Sequence, residues 1–220
     1  MKRVCISTGP ANRTVMDKET NEQKKTNLRY PHEDVIASLT EQVAQELDKK
    51  RFEHTMSVAY TASCMAMRFG EDPYRAYIAG LLHDCAKCIK DKQKLKLAEK
   101  YGLEVNEAEK ENPDLLHAKL GSVLAKEKYG ITDPQILSAI RWHTTGRPEM
   151  TAFEMIIYIA DYIEIKRKEL PLLSRAREAA FTSLEECMCV ILESTLMYLG
   201  KKGATVDDIT YKTYEYYKNR

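Results

Sequence analysis

His83 and Asp84 stand side by side in the run Ala79-Gly80-Leu81-Leu82-His83-Asp84-Cys85-Ala86-Lys87, where every other neighbour before Lys87 is small or apolar. Burying an unpaired carboxylate there would cost several kcal/mol or more, and the group would tend to neutralise. A metal ion removes that cost. Asp161 poses the same problem inside Ile156-Ile157-Tyr158-Ile159-Ala160-Asp161-Tyr162-Ile163-Glu164, and His54 follows Arg51-Phe52-Glu53 at the front of another helical pattern. Two imidazoles and two carboxylates form a mixed nitrogen and oxygen set suited to a borderline divalent ion such as iron, manganese or zinc. Calcium would want oxygen alone. Taken singly, a histidine is more often a surface or satisfied core residue, and an aspartate a helix-surface acid. The order His, His-Asp, Asp on separate apolar stretches is what favours metal.

The elements that must position these groups read as helices throughout. Val35, Ile36, Leu39, Val43 and Leu47 recur at three and four, the stripe of an amphipathic helix, and the same spacing continues to the end. Gly70, Gly102, Gly130 and Gly200 read as C-terminal stops, and Asp72-Pro73 and Asp133-Pro134 as an N-cap followed by proline at the first helical position. Thr151 with Glu154, and Thr205 with Asp208, have capping-box spacing. The pattern predicts helices over 33–48, 51–69, 73–90, 92–101, 114–129, 134–144, 152–168, 174–199 and 206–218, and no strand. The expected fold is all-α, a single helical bundle over 31–220. His83 and Asp84 would fall mid-helix, with Lys87 one turn on and facing the same way.

Composition narrows the class. The chain is 44% hydrophobic and 30% charged, as in a globular domain with a well-solvated surface. Its longest apolar run, 155–160, falls far short of the roughly 20 residues of a spanning helix, so no membrane role is expected. Residues 1–30 hold seven Lys or Arg against three acids and few large apolar residues, which predicts a flexible N-terminal extension. The remainder carries 27 basic and 30 acidic residues, a net of −3, which argues against a nucleic-acid surface. The start lacks the apolar centre of a secretory signal, and the six cysteines sit in helical patterns, so a reduced, cytoplasmic protein is expected. Cys85 and Cys88 would share one helix face and read as packing thiols. Tyr211, Tyr214, Tyr216 and Tyr217 read as packing residues of the last helix, and His32 has no partner in the pattern.

The ordered series His54, His83-Asp84, Asp161, with separations of 29 and 77 residues, resembles the HD-domain phosphohydrolase superfamily. More narrowly, Arg51-Phe52-Glu53-His54, the stretch from Ala79 to Lys87, Leu115-Leu116-His117, Ala139-Ile140-Arg141-Trp142-His143-Thr144-Thr145-Gly146 and Ile159 to Glu164 resemble the bacterial YqeK family. That family is associated with symmetrical hydrolysis of diadenosine tetraphosphate. The likeness runs from about residue 33 to 215. It departs after Glu164, where the family usually has proline and this chain has Ile165, Lys166 and Arg167, which puts any phosphate contact by Arg167 in doubt.

The resemblance implies a dinuclear site, with iron as the expected metal, in which His54, His83, Asp84 and Asp161 hold one ion and Asp84, His117 and His143 the second. Two ions about 3.5–4 Å apart clamp the attacking and leaving oxygens of an in-line displacement at phosphorus, and a bridging carboxylate sets their distance. The alternative for His117 and His143 is phosphate donation in a one-metal site. Asp84 and Lys87 are the expected catalytic residues, and Arg51, Lys87, Thr144 and Gly146 the expected substrate contacts; Lys87 and Arg51 read equally as surface cations, and Gly146 as a backbone device. The expected activity is metal-dependent cleavage of diadenosine tetraphosphate to two ADP. Its rivals are another nucleotide phosphohydrolase or nucleotidase of the superfamily, and a non-catalytic nucleotide sensor. The expected partner is a dinucleoside polyphosphate or nucleotide substrate, with a homodimer as a further expectation.

Overall fold

A computed structural model describes residues 32–220, so the expected N-terminal extension, and Cys5 with it, lies outside the described residues. The described residues form helices and no strand, as expected: α1 Glu33–Glu46, α2 Lys49–Phe69, α3 Pro73–Leu82, α4 Asp91–Lys100, α5 Glu107–Glu111, a 3-10 turn Pro113–Leu115, α6 Leu116–Glu127, α7 Pro134–Trp142, α8 Ala152–Ile163, α9 Leu173–Ala179, α10 Leu184–Lys202 and α11 Asp208–Lys218. None of these is long and apolar enough to cross a membrane.

The core forms around α8. Its Phe153, Ile156, Ile157, Ile159 and Ala160 are fully buried, and it packs on α2, α3, α7, α9 and α10. A helix apolar on all sides must lie inside its bundle, and a polar residue on it is committed to an interior position. Asp161 is therefore carried into the protein by the helix that holds the protein together.

Local chemistry fixes many boundaries. The Asp72 side chain accepts from the Tyr74 and Arg75 amides to open α3, Asp133 accepts from Gln135 to open α7, and Thr151 with Glu154 forms a reciprocal capping box on α8. Gly70 closes α2 at φ 75°. Gly200 is not a stop: α10 runs through it to Lys202 and ends at Gly203, φ 61°. The Thr205–Asp208 box does not form either. Asp207 caps α11 by accepting from Ile209, and Thr205 Oγ1 donates to Glu111 instead.

Three larger corrections concern helix extents. The predicted helix 73–90 stops at Leu82, and the chain continues through tight turns closed by Cys85 N to Leu82 O, Lys87 N to Asp84 O and Ile89 N to Ala86 O. The Gly80 carbonyl, the acceptor that a helical Asp84 amide would use, receives the His83 Nδ1–H at 2.6 Å. The predicted 152–168 ends at Ile163, where Glu164 turns extended and Arg177 donates to the Ile163 and Glu164 carbonyls. The predicted 174–199 is two helices, broken where Ser183 caps α10 by accepting from Glu186. Helix α5 was not expected, although Asn106 and Glu109 build a capping box for it.

Consequences follow for residues read from helical spacing. Cys85 is buried and its thiol lies 3.5 Å from the Gly121 carbonyl, whereas Cys88 is exposed near Asp48, so the two share no face. Tyr217 is buried and its hydroxyl accepts from the Met150 amide, while Tyr211 is largely exposed. His32 stacks on Tyr74, with centroids 5.1 Å apart.

Helices α2 and α3 approach closely at Gly80, where a Cβ would stand 2.8 Å from Ala59 Cα and 3.1 Å from Ala59 N. Those are backbone atoms that cannot rotate aside, so α2 and α3 would have to separate. Overpacking costs about 1–3 kcal/mol, against a helix-propensity gain of about 1 kcal/mol. Gly80→Ala is thus expected to lose about 0–2 kcal/mol, a Tm drop of up to about 8 °C; a raised Tm in a thermal melt would refute the packing argument.

Candidate metal centre

Each of four histidines has one ring nitrogen tied to the scaffold. His83 Nδ1 meets the Gly80 carbonyl at 2.6 Å, His117 Nδ1 the Asp114 carbonyl at 2.5 Å and His143 Nδ1 the Ile140 carbonyl at 2.7 Å, each three residues back. His54 Nδ1 lies 3.1 Å from Glu164 Oε1 across the bundle. A carbonyl oxygen only accepts, so Nδ1 carries the proton of a neutral ring and Nε2 presents a lone pair. Such a bond fixes both tautomer and ring orientation in metal-binding histidines.

The four Nε2 atoms converge on Asp84, which is 3% exposed. Asp84 Oδ1 faces His117 Nε2 at 3.3 Å and His143 Nε2 at 3.7 Å. Asp84 Oδ2 faces His83 Nε2 at 3.5 Å and His54 Nε2 at 3.8 Å. Asp161 Oδ1 closes the His54 side, 3.1 Å from His54 Nε2 and 3.9 Å from His83 Nε2. Ligand atoms of His54, His83 and Asp161 lie within 4.8 Å of one another, as do those of His83, Asp84 and His143. His117 and His143 Nε2 are 3.1 Å apart.

These groups fit a cation. Two imidazole lone pairs facing each other at 3.1 Å repel unless something positive lies between them, and the Thr144 hydroxyl, 3.1 Å from each, has one proton to offer. The Nε2 atoms of His54 and His83 are buried and make no hydrogen bond, which is costly for a polar atom unless it has another partner. Electrostatics agree. Burial would raise Asp84, but the surrounding imidazoles, His83 first, hold it well below the usual carboxylate range. Burial opposes Asp161 likewise, and the Arg167 guanidinium and His54 keep it ionised. Burial would lower His54, yet Asp161 and Glu164 raise it above its ordinary value; a field that draws a proton to this site also draws a metal cation. Burial drives His117 down to about 3, against the pull of Asp84, so its ring stays neutral and able to ligate.

The structure thus brings together all six residues singled out as metal ligands. The expected substrate contacts fare unevenly. Arg51 donates to Asp84 Oδ2 at 2.6 Å, and Thr144 touches two of the imidazoles. Lys87 does not share a helix face with His83; its Nζ pairs with Asp114 Oδ2 at 2.6 Å and lies 3.4 Å from His117 Nδ1. Gly146, at φ 65°, is packed against α11, where a Cβ would meet Thr213 Cγ2 at 2.9 Å. It reads as a backbone device.

Several partners went unread. Glu164, 2% exposed, holds His54 and accepts from the Lys166 amide; in the sequence it reads only as one more acid after Ile163. Arg167 donates to Asp161 Oδ1 at 2.5 Å. Asp114 bridges Lys87 to Lys94, whose ammonium is 2.6 Å away and whose side chain is almost wholly buried, and the same Asp114 supplies the carbonyl that orients His117. Lys94 read as one of many lysines, with no local signal of burial.

Clefts reach the cluster from two sides. One of about 680 Å³ ends at His54 and is lined by Lys50, Arg51, Lys166, Arg167 and Lys168. Over His143, Thr144 and Asp161 lies a hollow of about 130 Å³, and it shares Thr144 and Thr195 with a second cleft of about 530 Å³ between α10 and the 3-10 turn.

The family model described as HD domain matches residues 51–166, which spans every residue of the cluster. The chain belongs to the HD-domain family. Its HD relatives include the symmetrical bis(5'-nucleosyl)-tetraphosphatase of Bacillus subtilis (strain 168), 38% identical over 177 residues, 79% of this chain and 92% of the relative. The protein of the same name from Staphylococcus aureus (strain NCTC 8325 / PS 47) is 33% identical over 175 residues, 79% of this chain and 89% of the relative. A solved HD structure, of a predicted HD superfamily hydrolase involved in NAD metabolism from Clostridium acetobutylicum, superposes with a TM-score of 0.80 at 36% identity, covering 84% of this chain and 97% of that one.

Proposed function

We propose that this HD-domain protein is a metal-dependent phosphohydrolase that cleaves diadenosine tetraphosphate symmetrically, adding water across the central phosphoanhydride to give two ADP. The observation that carries the reading is the convergence of four Nε2 lone pairs and two carboxylates on one buried point, with each Nδ1 already spent on the scaffold. Its substrate is supported by the tetraphosphatases that match this chain over most of their length. His54, His83, Asp84 and Asp161 would hold one divalent ion, and Asp84, His117 and His143 a second. Iron is our assignment for this nitrogen and oxygen set, with manganese and zinc as alternatives. Bound there, the ions supply an activated water and neutralise phosphate charge.

The chain's own groups do the rest. Asp84 turns one oxygen toward each half of the cluster and so sets their separation. Arg51 and Arg167 stand where the cluster opens into the cationic cleft and hold the carboxylates on that side. Thr144 places a hydroxyl at the opposite side. In the sensor reading such an array would bind a nucleotide without turnover; the open clefts on either side favour passage of substrate and products. Chromatography of products from the metal-loaded protein decides: ADP alone is expected, and AMP with ATP, or intact substrate, rejects the reading.

Glu164 tests how the site is oriented. Glu164→Gln keeps the shape but removes the charge that faces His54 Nδ1. Changing such an outer partner costs 10–100-fold in metal affinity or activity, so a metal affinity lower by about 10–100-fold is expected. Titration calorimetry that finds the affinity unchanged would remove Glu164 from the site.

A further inference from the structure

The cleft that ends at His54 and the cleft joined to the cluster through the hollow at Thr144 are chemically unequal, although the proposed substrate is symmetrical. The cleft ending at His54 sets five cations, Lys50, Arg51, Lys166, Arg167 and Lys168, against the carboxylates of Asp48, Glu53 and Glu164. The cleft beyond Thr144 has no Lys or Arg among its lining residues. It offers the Leu115 and Leu199 side chains, the Tyr198 ring and the hydroxyls of Thr145 and Thr195. Its two carboxylates would repel phosphate, and both are engaged: Glu111 accepts from Thr205 Oγ1, and Asp207 from Asn106 Nδ2 at 2.8 Å. Lys202 stands over the Tyr198 ring, 4.5 Å from its centroid, which braces an aromatic side chain that is still 39% exposed.

Continuity ties this cleft to the reaction. Thr144 and Thr195 line both it and the hollow that holds His143 and Asp161, and Thr144 Oγ1 is 3.1 Å from the His117 and His143 Nε2 atoms. Its volume, about 530 Å³, lies within the range of small-molecule sites, roughly 300–1,000 Å³, which are mostly apolar with a few fixed polar groups. A base and ribose suit that lining and a phosphate does not. Phosphates suit the cationic cleft, which has no Phe, Tyr or Trp among its lining residues.

We propose that the site reads a nucleoside on one side only, through the cleft of Leu115, Tyr198 and Leu199, and bare phosphate on the other, through Lys50 and its cationic neighbours. It rests on the tetraphosphatase reading above. The consequence is a second substrate class: a nucleoside 5'-tetraphosphate, which has one nucleoside, is cleaved to nucleoside diphosphate and inorganic diphosphate. The water oxygen bonds to one of the two central phosphorus atoms, and the bridging oxygen leaves on the other with the electron pair of the broken P–O bond. The proton released from water goes to solvent or to the departing diphosphate, and no redox partner is involved.

The manganese-loaded full chain is assayed with diadenosine tetraphosphate, adenosine 5'-tetraphosphate and inorganic tetraphosphate, and ADP binding is measured in parallel. Expected are kcat/KM values within about tenfold of each other for the first two, and a value at least about 100-fold lower for inorganic tetraphosphate. Stacking on an aromatic side chain is worth about 5–150-fold, so Tyr198→Ala should weaken ADP binding about tenfold and leave inorganic diphosphate binding unchanged. Cleavage of diadenosine tetraphosphate with adenosine tetraphosphate untouched overturns the inference and leaves the tetraphosphatase reading standing. Equal cleavage of inorganic tetraphosphate also overturns it. If neither nucleotide is cleaved, the activity falls with the tetraphosphatase reading, and ADP binding decides the cleft: unchanged affinity in Tyr198→Ala rejects it, and the tenfold loss upholds it.

Discussion

Asp84→Ala is expected to lower kcat by at least about 10³-fold, beyond the 10²–10³ typical for loss of a single transition-state donor, and to leave the protein unable to hold two metal ions per chain. The size of the effect comes from the side chain's double engagement. Its Oδ1 serves the His117 and His143 side and its Oδ2 the His54 and His83 side, so one substitution strips both halves of their shared anion. What remains is four imidazoles and Asp161, with Arg51 released from its 2.6 Å contact. Arg51 is partly exposed and can turn to solvent, so the fold should survive, and circular dichroism would show it. Elemental analysis and turnover are read on the same preparation. Near-native turnover in Asp84→Ala would end the claim that this carboxylate joins two sites, and two retained ions with lost turnover would shift its role from ligand to chemistry.

How much of this was legible beforehand depends on the range of the interaction that decides each feature. Caps at Asp72, Asp133 and Thr151 are settled within three residues, and the sequence pattern places them correctly. The end of α3 coincides with a contact as local as those caps, His83 turning its ring back on Gly80, but its acceptor is a backbone carbonyl that no residue type marks; the end of α8 is settled by Glu164 reaching His54, 110 residues earlier in the chain. Periodicity has no access to either, so it predicts both helices too long. Lys87 shows the cost: helical spacing puts it on the face of His83, but the helix ends before it, and its partner is Asp114. The break at Ser183 is different, because a serine three residues before Glu186 is a local capping signal.

The cluster residues were legible as types in apolar surroundings, whereas the groups that aim them were not. Three of the aiming partners are backbone carbonyls, which leave no mark on residue identity. A fourth, Glu164, was visible only as one more acid. Lys94 and Asp114 extend the point: an ammonium removed from water needs a carboxylate to be tolerated, and here that carboxylate belongs to the residue whose carbonyl orients His117. Anchoring one side chain in the interior therefore also fixes a ligand, by a route that pattern-reading cannot follow.

Acid is expected to destabilise the chelator-stripped protein well before ordinary carboxylates titrate, and His117 is the reason. Burial holds this imidazole neutral down to about 3, against an ordinary value of 6.5. Between those limits the unfolded chain binds a proton that the folded one refuses, so stability is present above 6.5 and is lost as pH falls toward 3. At pH 5 the loss from this one group is about 2 kcal/mol, from 1.36 kcal/mol per unit, or a Tm lower by about 4–8 °C for a chain of this size. Asp84 and Asp161, both held low, act in the same direction but only below the carboxylate range. His54 acts oppositely: raised by Asp161 and Glu164 against its burial, it favours the folded state at low pH and loses that contribution as pH rises through its folded value. The difference in Tm between pH 7.5 and pH 5 isolates His117 when it is compared with the same difference in His117→Gln, which has no imidazole to protonate. The variant's pH dependence should be shallower by most of that 4–8 °C. An equal slope in the two proteins would mean that the buried ring does not control acid stability.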